Sequence, residues 1–316
     1  PQARQEERER LSSGGSALVQ ALWANHTAGR APGHPVDAPM DADTEARLKT
    51  LVMAVIAKDE DEDAAQVWTA IKKGLPDVPH LALILARAWG IVGPHHNFHL
   101  DEAGFDWGDA WAAEHDDEVA AQQRAMAEDA GEPDGFDYIS VDGETTRDMD
   151  DAFHVRARGD GWTLRLALAR PSALWPFGGA LDTAVKQRAT SLYLPEGDAH
   201  MMPEALATDL YSLHAGKVRP ALVAEFDIDA DGCVAAVRPE SGWVRVAANL
   251  DFTAAEAAMS GDDAPTSDAA HHAEHLRLAH ALAEALYARR LADGAVVILK
   301  PEPDRKSTRL NSSHYS

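Results

Sequence analysis

The stretch from Val141 to Phe153 places Asp142, Asp148, Asp150 and Asp151 within ten residues. A fold that draws those carboxylates together must offset their mutual repulsion, and a divalent cation held by oxygen ligands is the usual means. Mg2+ bound in this way suits phosphoryl chemistry. Most Asp-rich runs are solvated loops. Two features set this one apart. It is flanked by apolar, strand-like runs, Phe136 to Val141 and Ala152 to Val155, so it belongs to a folded region. Its spacing, with gaps of six, two and one, matches neither a helix face nor strand alternation, as expected of a loop that wraps around an ion.

The string Val141-Asp-Gly-Glu-Thr-Thr-Arg-Asp-Met-Asp-Asp-Ala-Phe153 resembles the signature of the RNB family, the ribonuclease II and ribonuclease R exoribonucleases. There an apolar residue and Asp are followed, after a short linker, by Asp-x-Asp-Asp and Ala. Further matches follow in order. Gly161 to Ala169 resembles the next core strand. Leu181 to Pro195 resembles a helix and an Arg-x-x-Ser-x-Tyr-Leu-Pro segment. Met201 to Leu206, Tyr211-Ser-Leu213 and Ala288 to Ala295 resemble later family positions. The resemblance covers about Asp137 to Pro303. Three departures stand out: Arg170 where the family has Asp, Met202 in a Met-Leu-Pro position, and Tyr211 in place of Cys. None touches the aspartates.

The resemblance implies an α+β fold, with a helical N-terminal domain followed by part of a barrel-like RNB catalytic domain. It implies a Mg2+-dependent, 3′-to-5′ hydrolytic exoribonuclease that acts on single-stranded RNA and releases nucleoside 5′-monophosphates. Mg2+, or Mn2+ in its place, would be held by Asp142, Asp148, Asp150 and Asp151. Asp150 would be the least replaceable of them. Tyr193 would position the scissile phosphate near the 3′ end, and Arg188 would support its segment. The family's catalytic Arg and Glu and its C-terminal OB-fold lie beyond the matched region, so this chain is expected to be a truncated, inactive piece of a longer reading frame. The alternative within the family is a non-catalytic RNA-binding regulator, which would have no need to gather negative charge where phosphate must approach. An acidic structural domain stabilised by Ca2+ or Mg2+ is a third reading.

Charge bears directly on RNA binding. The formal net charge is −23, spread evenly: −12 over residues 1–130 and −14 over residues 131–304. No half of the chain is basic, so RNA must be held in a local channel or by residues elsewhere. The final residues, 305–316, contain three basic and no acidic residues and read as a non-native tail. Cys233 is the single cysteine, which fits a reducing cytoplasm. No run of 18 apolar residues exists, so no membrane span is expected.

Apolar residues recur at helical spacing in Ala17 to Trp23, Ala46 to Ile56, Val67 to Ile71 and Leu81 to Trp89. The acidic run Asp59 to Asp63 predicts a helix start before Ala64 to Lys73. Residues 1–130 thus read as a helical domain of helix-turn-helix type, with a loop over Gly29 to Pro39 and a last helix over Ala120 to Ala130. Residues 136–304 alternate strands with helices. Strands are expected at Tyr138 to Val141, Ala152 to Arg156, Trp162 to Ala169, Ala221 to Ile228 and Val234 to Val246, with helices over Ala180 to Arg188 and Ala269 to Leu291.

Three other clusters carry less weight. Asp227 to Gly232 begins like an EF-hand loop, but Arg238 stands where a bidentate Glu is required, so a hairpin turn is expected. His271 to His275 matches H-x-x-E-H without a third ligand. His95, His96 and His99 read as a polar loop before a helix.

Overall fold

In a computed structural model of the chain, residues 2–108, 110–194, 197–260, 267–297, 302–303 and 310–311 are described. The chain divides into two compact units, residues 1–108 and 109–316. The sequence places the boundary after residue 130. The division falls earlier because the helix over Asp116–Asp129 contributes Val119 and Met126 to an apolar cluster with Leu181, Leu206 and Tyr211 of the second unit.

The first unit consists of α1 (Gln2–Thr27), α2 (Ala42–Ala57), α3 (Glu62–Ile71), α4 (Leu81–Trp89) and the short α5 (Phe98–Glu102). Its apolar stripes meet in a core that includes Leu18, Leu22, Leu48, Val52, Ile71 and Leu85. Asp41 and Asp61 cap α2 and α3 by accepting from Thr44 N–H at 2.9 Å and Ala64 N–H at 2.8 Å. The second cap is the one the acidic run predicts. Helix α1 extends well beyond its apolar segment and runs through Gly14 and Gly15. A Cβ on Gly15 would lie 2.8 Å from Ile71 Cγ2, so the glycine permits the close crossing of α1 and α3.

The second unit opens with α6 (Ala110–Ala113) and α7 (Asp116–Asp129). A closed barrel follows, built from β1 (Tyr138–Asp142), β2 (Asp151–Arg158), β3 (Gly161–Ala169), β6 (Val218–Ile228) and β7 (Val234–Asp251) in that order. Between β3 and β6 lie a 3-10 turn (Pro171–Ala173), α8 (Ala180–Arg188), the pair β4 (Leu192–Leu194) and β5 (Gly197–Ala199), and a π-helical turn (Leu206–Leu210). Helices α9 (Phe252–Ser260), α10 (Ser267–His271) and α11 (Ala273–Ala292) follow the barrel, and β8 (Glu302–Pro303) pairs with β9 (Leu310–Asn311). The reading of residues 305–316 as a tail otherwise lies outside the described residues.

Antiparallel pairing joins β1 to β2, β2 to β3, β3 to β6 and β6 to β7. Parallel pairing of β1 with β7, from Ile139↔Ala248 to Asp142↔Asp251, closes the barrel. This pairing extends β7 to Asp251, five residues past its expected end. The alternating face of every strand contributes to one buried cluster, with Tyr138, Ala152, Ala167, Val223 and Val244 among its members. Arg165 shares that face in β3. Its guanidinium bonds Glu225 at 2.7 Å and Asp134 at 2.9 Å, also pairs with Glu240, and donates to the Tyr138 hydroxyl at 3.0 Å. These charge-assisted bonds compensate the desolvation of a buried cation.

The remaining sequence clusters resolve into structural roles. The Asp227 to Gly232 run is a β6–β7 hairpin whose Asp229 accepts from the Asp231 and Cys233 amides at 3.1 and 2.8 Å, with Gly232 at φ +76°. The expected helix over Ala269 to Leu291 is broken at His272, between α10 and α11, so His271 and His275 do not share one continuous helix. His275 Nε2 accepts from Val155 N–H at 2.8 Å, where β2 has no β1 partner. His96 pairs with Asp101 at 2.5 Å and His99 with Glu102 at 3.6 Å.

Burial, with His154 and His272 close by, pushes the His275 imidazole down to about 4, while Asp137 acts weakly in the opposite sense. The neutral ring is favoured in the folded state, so its contribution is complete above the ordinary histidine value and is lost as pH falls toward 4. Thermal unfolding from pH 7 to pH 4 is expected to show a declining midpoint. His275→Gln, which can accept from Val155 without titrating, should flatten that decline. In the first unit, Leu85→Ala should cost about 2–5 kcal/mol in denaturant titration, because Leu85 is fully buried.

Candidate active site

The barrel brings the aspartates together by ending one strand and starting the next. Asp142 closes β1, and Asp151 opens β2 opposite Leu168. The intervening loop turns at Gly143, whose carbonyl accepts from Thr146 N–H at 2.9 Å. Its second half is anchored through the backbone. Met149 is buried and its carbonyl accepts from Leu213 N–H at 2.8 Å, while the Asp150 carbonyl accepts from Ala169 N–H at 2.7 Å. Arg147 points outward to Glu204 at 2.6 Å and Thr208 at 3.4 Å.

The four carboxylates interact electrostatically. Burial raises Asp142 above the usual carboxylate range, the Ser140 hydroxyl opposes that shift, and Asp151 and Asp148 add to it. Burial again raises Asp150, followed by repulsion from Asp148, Asp151 and Asp142. Asp150 and Asp151 retain solvent-exposed faces, so the site is open on that side and screening moderates the repulsion. Asp142 Oδ2 is buried with no hydrogen-bond partner among the described residues. No Lys or Arg is paired with any of the four among those residues; His200 Nδ1 lies 3.7 Å from Asp148 Oδ2.

This donor set fits Mg2+ or Mn2+: all-oxygen, negatively charged, mutually repelling, with one buried oxygen unsatisfied. Among the described residues, no three His, Cys, Asp or Glu side chains are already disposed to hold an ion. The loop therefore concentrates the charge, and side-chain rotation would have to complete a ligand shell.

Tyr193 comes from β4, far from the loop in sequence, and its hydroxyl donates to Asp148 Oδ2. Burial and then the Asp148 carboxylate push the phenol up to about 12, so it is protonated at neutral pH. Arg188 Nε donates to the His200 carbonyl at 3.1 Å, and its guanidinium lies 4.5 Å from the centre of the Trp111 ring. The sequence alone does not single out His200. Its signal was its place just past the Tyr193 segment, ahead of Met201-Met-Pro203, where β5 folds back on β4 through Tyr193↔Asp198. Arg170, a departure from the family pattern, has an amide that donates to the Pro220 carbonyl at 3.0 Å, next to the Ala169 amide that holds Asp150.

With this geometry, the family model described as "RNB domain" matches residues 135–314. The chain belongs to the RNB family. Among curated proteins, Exoribonuclease 2 of Edwardsiella piscicida is 38% identical over 152 residues, covering 47% of this chain and 23% of that protein. Exoribonuclease 2 of Cronobacter sakazakii is 43% identical over 100 residues, covering 31% of this chain and 16% of its own length. The chain thus spans less than a quarter of these relatives. Among solved structures, Dss1 exoribonuclease of Candida glabrata aligns with a TM-score of 0.61 and 17% identity, covering 91% of this chain and 38% of that one. RNase R of Mycoplasma genitalium, in complex with double-stranded RNA, aligns with a TM-score of 0.54 and 19% identity, covering 63% and 35%. These structural likenesses establish the RNB fold. Among the described residues, no helix is long and apolar enough to cross a membrane.

Repulsion within the Asp loop predicts a measurable sign. Asp150→Asn should raise the thermal midpoint of the metal-free protein, because it removes one of four like charges. It should also diminish the rise in midpoint that Mg2+ or Mn2+ produces in the parent, as read by a melt across a cation titration.

Proposed function

We propose that this RNB sequence forms part of the active site of a Mg2+-dependent exoribonuclease that hydrolyses single-stranded RNA from its 3′ end and releases nucleoside 5′-monophosphates in the cytoplasm. The observation that carries the proposal is the contact of Tyr193 with Asp148, which joins two distant motif positions at one carboxylate.

Asp142, Asp148, Asp150 and Asp151 are the residues that would hold divalent cations, with Mn2+ able to replace Mg2+. In two-metal sites, ions about 4 Å apart stabilise both the attacking and the leaving oxygen of a phosphodiester displacement. The reaction adds water to the terminal phosphodiester: a P–O bond forms from the water oxygen and the P–O3′ bond breaks. The shortened strand keeps a 3′-hydroxyl and the nucleoside leaves with its 5′-phosphate. Tyr193, held protonated, presents a neutral hydroxyl where an anionic phosphate must approach. Its bond to Asp148 fixes the ring beside the carboxylates and directs the 3′-terminal nucleotide. The open faces of Asp150 and Asp151 give the phosphate a route in. Because the barrel region is acidic, the affinity for RNA must come from local cations such as Arg147 and from the rest of the full-length protein.

Incubation of the full-length protein with 5′-labelled single-stranded RNA and Mg2+ tests the proposal. A ladder of 3′-shortened products is expected, and it should vanish on chelation and in Asp150→Asn. Tyr193→Phe should slow turnover by up to about 100-fold through misplacement of the phosphate. Intact RNA with a folded full-length protein would reject the proposal and leave a non-catalytic RNA-binding role.

A further inference from the structure

The part of the loop that carries Asp148 is fixed by a side chain more than sixty residues away. Ser212 is fully buried. Its hydroxyl accepts from Met149 N–H at 2.9 Å and donates to the Arg147 carbonyl at 3.0 Å. Those two backbone groups flank Asp148 on either side. One hydroxyl therefore does for Asp148 what a neighbouring strand does for a residue in a sheet: it satisfies the peptide groups on both sides and sets the direction of the side chain between them. The adjoining bond from Leu213 N–H to the Met149 carbonyl continues this short, irregular pairing. Asp148 in turn holds Tyr193 and lies nearest His200.

We propose that Ser212 is the positioning residue of the site. It sets where Asp148 points and, through Asp148, where the Tyr193 hydroxyl and a bound cation stand. The inference rests on the reading of the Asp loop as the cation site of a nuclease. Serine suits the task because a hydroxyl both donates and accepts. Alanine would leave Met149 N–H and the Arg147 carbonyl without their partner; the Met149 group is buried, and an unpaired buried group costs about 1–3 kcal/mol. The chain segment nearest that gap, Glu144 to Arg147, is exposed, so the loop can relieve the loss by moving toward water. That movement displaces Asp148 without disturbing the barrel strands.

The effect resembles removal of a residue that orients a metal ligand, which typically costs about 10–100-fold in metal affinity or activity. The test uses the full-length protein as parent, S212A, and V223A as a control. Val223 is buried in the barrel cluster that Met149 also joins but makes none of the hydrogen bonds that hold the loop, so V223A reports what loss of packing alone does. Mn2+ affinity is measured by electron paramagnetic resonance, and kcat and KM on 5′-labelled single-stranded RNA. S212A should bind Mn2+ about 10–100-fold more weakly and lose kcat with little change in KM, whereas V223A should keep the parental values at temperatures where it is folded. Should S212A not fold, S212C retains a side chain there with a thiol, a weak donor and acceptor, and should show the same losses.

Parental Mn2+ affinity and kcat in S212A, or equal losses in V223A, would overturn the positioning role while leaving the nuclease reading in place. A parent that binds no Mn2+ and leaves RNA intact would overturn the site reading, and the role of Ser212 with it.

Discussion

Repulsion among four carboxylates is the constraint around which the second unit is organised. Left to itself, a chain would spread Asp142, Asp148, Asp150 and Asp151 apart in water. Here it cannot, because the backbone on each side is committed elsewhere. Asp142 lies at the end of the parallel β1–β7 pairing that closes the barrel, and Asp151 lies in the β2–β3 ladder. The loop between them is held by the Ala169 and Leu213 amides and by the Ser212 hydroxyl. The stability of the barrel keeps the charges close; burial first, and then repulsion from the neighbouring carboxylates, raises Asp142 and Asp150 above the usual carboxylate range.

The same barrel handles charge differently elsewhere. Asp134, Glu225 and the largely exposed Glu240 gather around the buried Arg165, which supplies the neutralising cation from within the chain. Such a cluster is self-sufficient in charge. Around the Asp loop, no Lys or Arg pair is made to the four carboxylates among the described residues, and two of them keep faces open to solvent. Acid paired with Arg165 reads as structure, whereas acid without a resident cation reads as a place for an ion from solution. The distinction rests on what each carboxylate touches rather than on the number of acids, which is high throughout the chain.

Much of this was legible in the sequence because local physics agrees with the final fold. The alternation in β3 and the helical spacing of α2, α4 and α8 predict those elements nearly to their ends. The Asp-loop spacing marks the carboxylates that the fold gathers, and the Tyr193 segment stands out through its resemblance to a family motif. What escaped depends on long-range contacts. The end of β7, Ala247-Ala-Asn-Leu250, has weak strand character and is held as a strand by its pairing with β1. The length of α1 through Gly14 and Gly15 depends on its crossing with α3. The break at His272 has no Gly or Pro to announce it, and the role of His275 follows from an amide 120 positions away in β2. Ser212 and His200 gain meaning only when the loop and the β4–β5 pair converge on Asp148.

Fixed, repelling carboxylates are expected to be the seat of divalent-cation binding. Crystals of the full-length protein soaked with Mn2+ and measured at its absorption edge test this most directly. Anomalous density in contact with Asp142, Asp148, Asp150 and Asp151, with Tyr193 still bonded to Asp148, is the expected result. Fully soaked crystals with no density at the loop, or with Mn2+ bound only at other acidic surfaces, would contradict it.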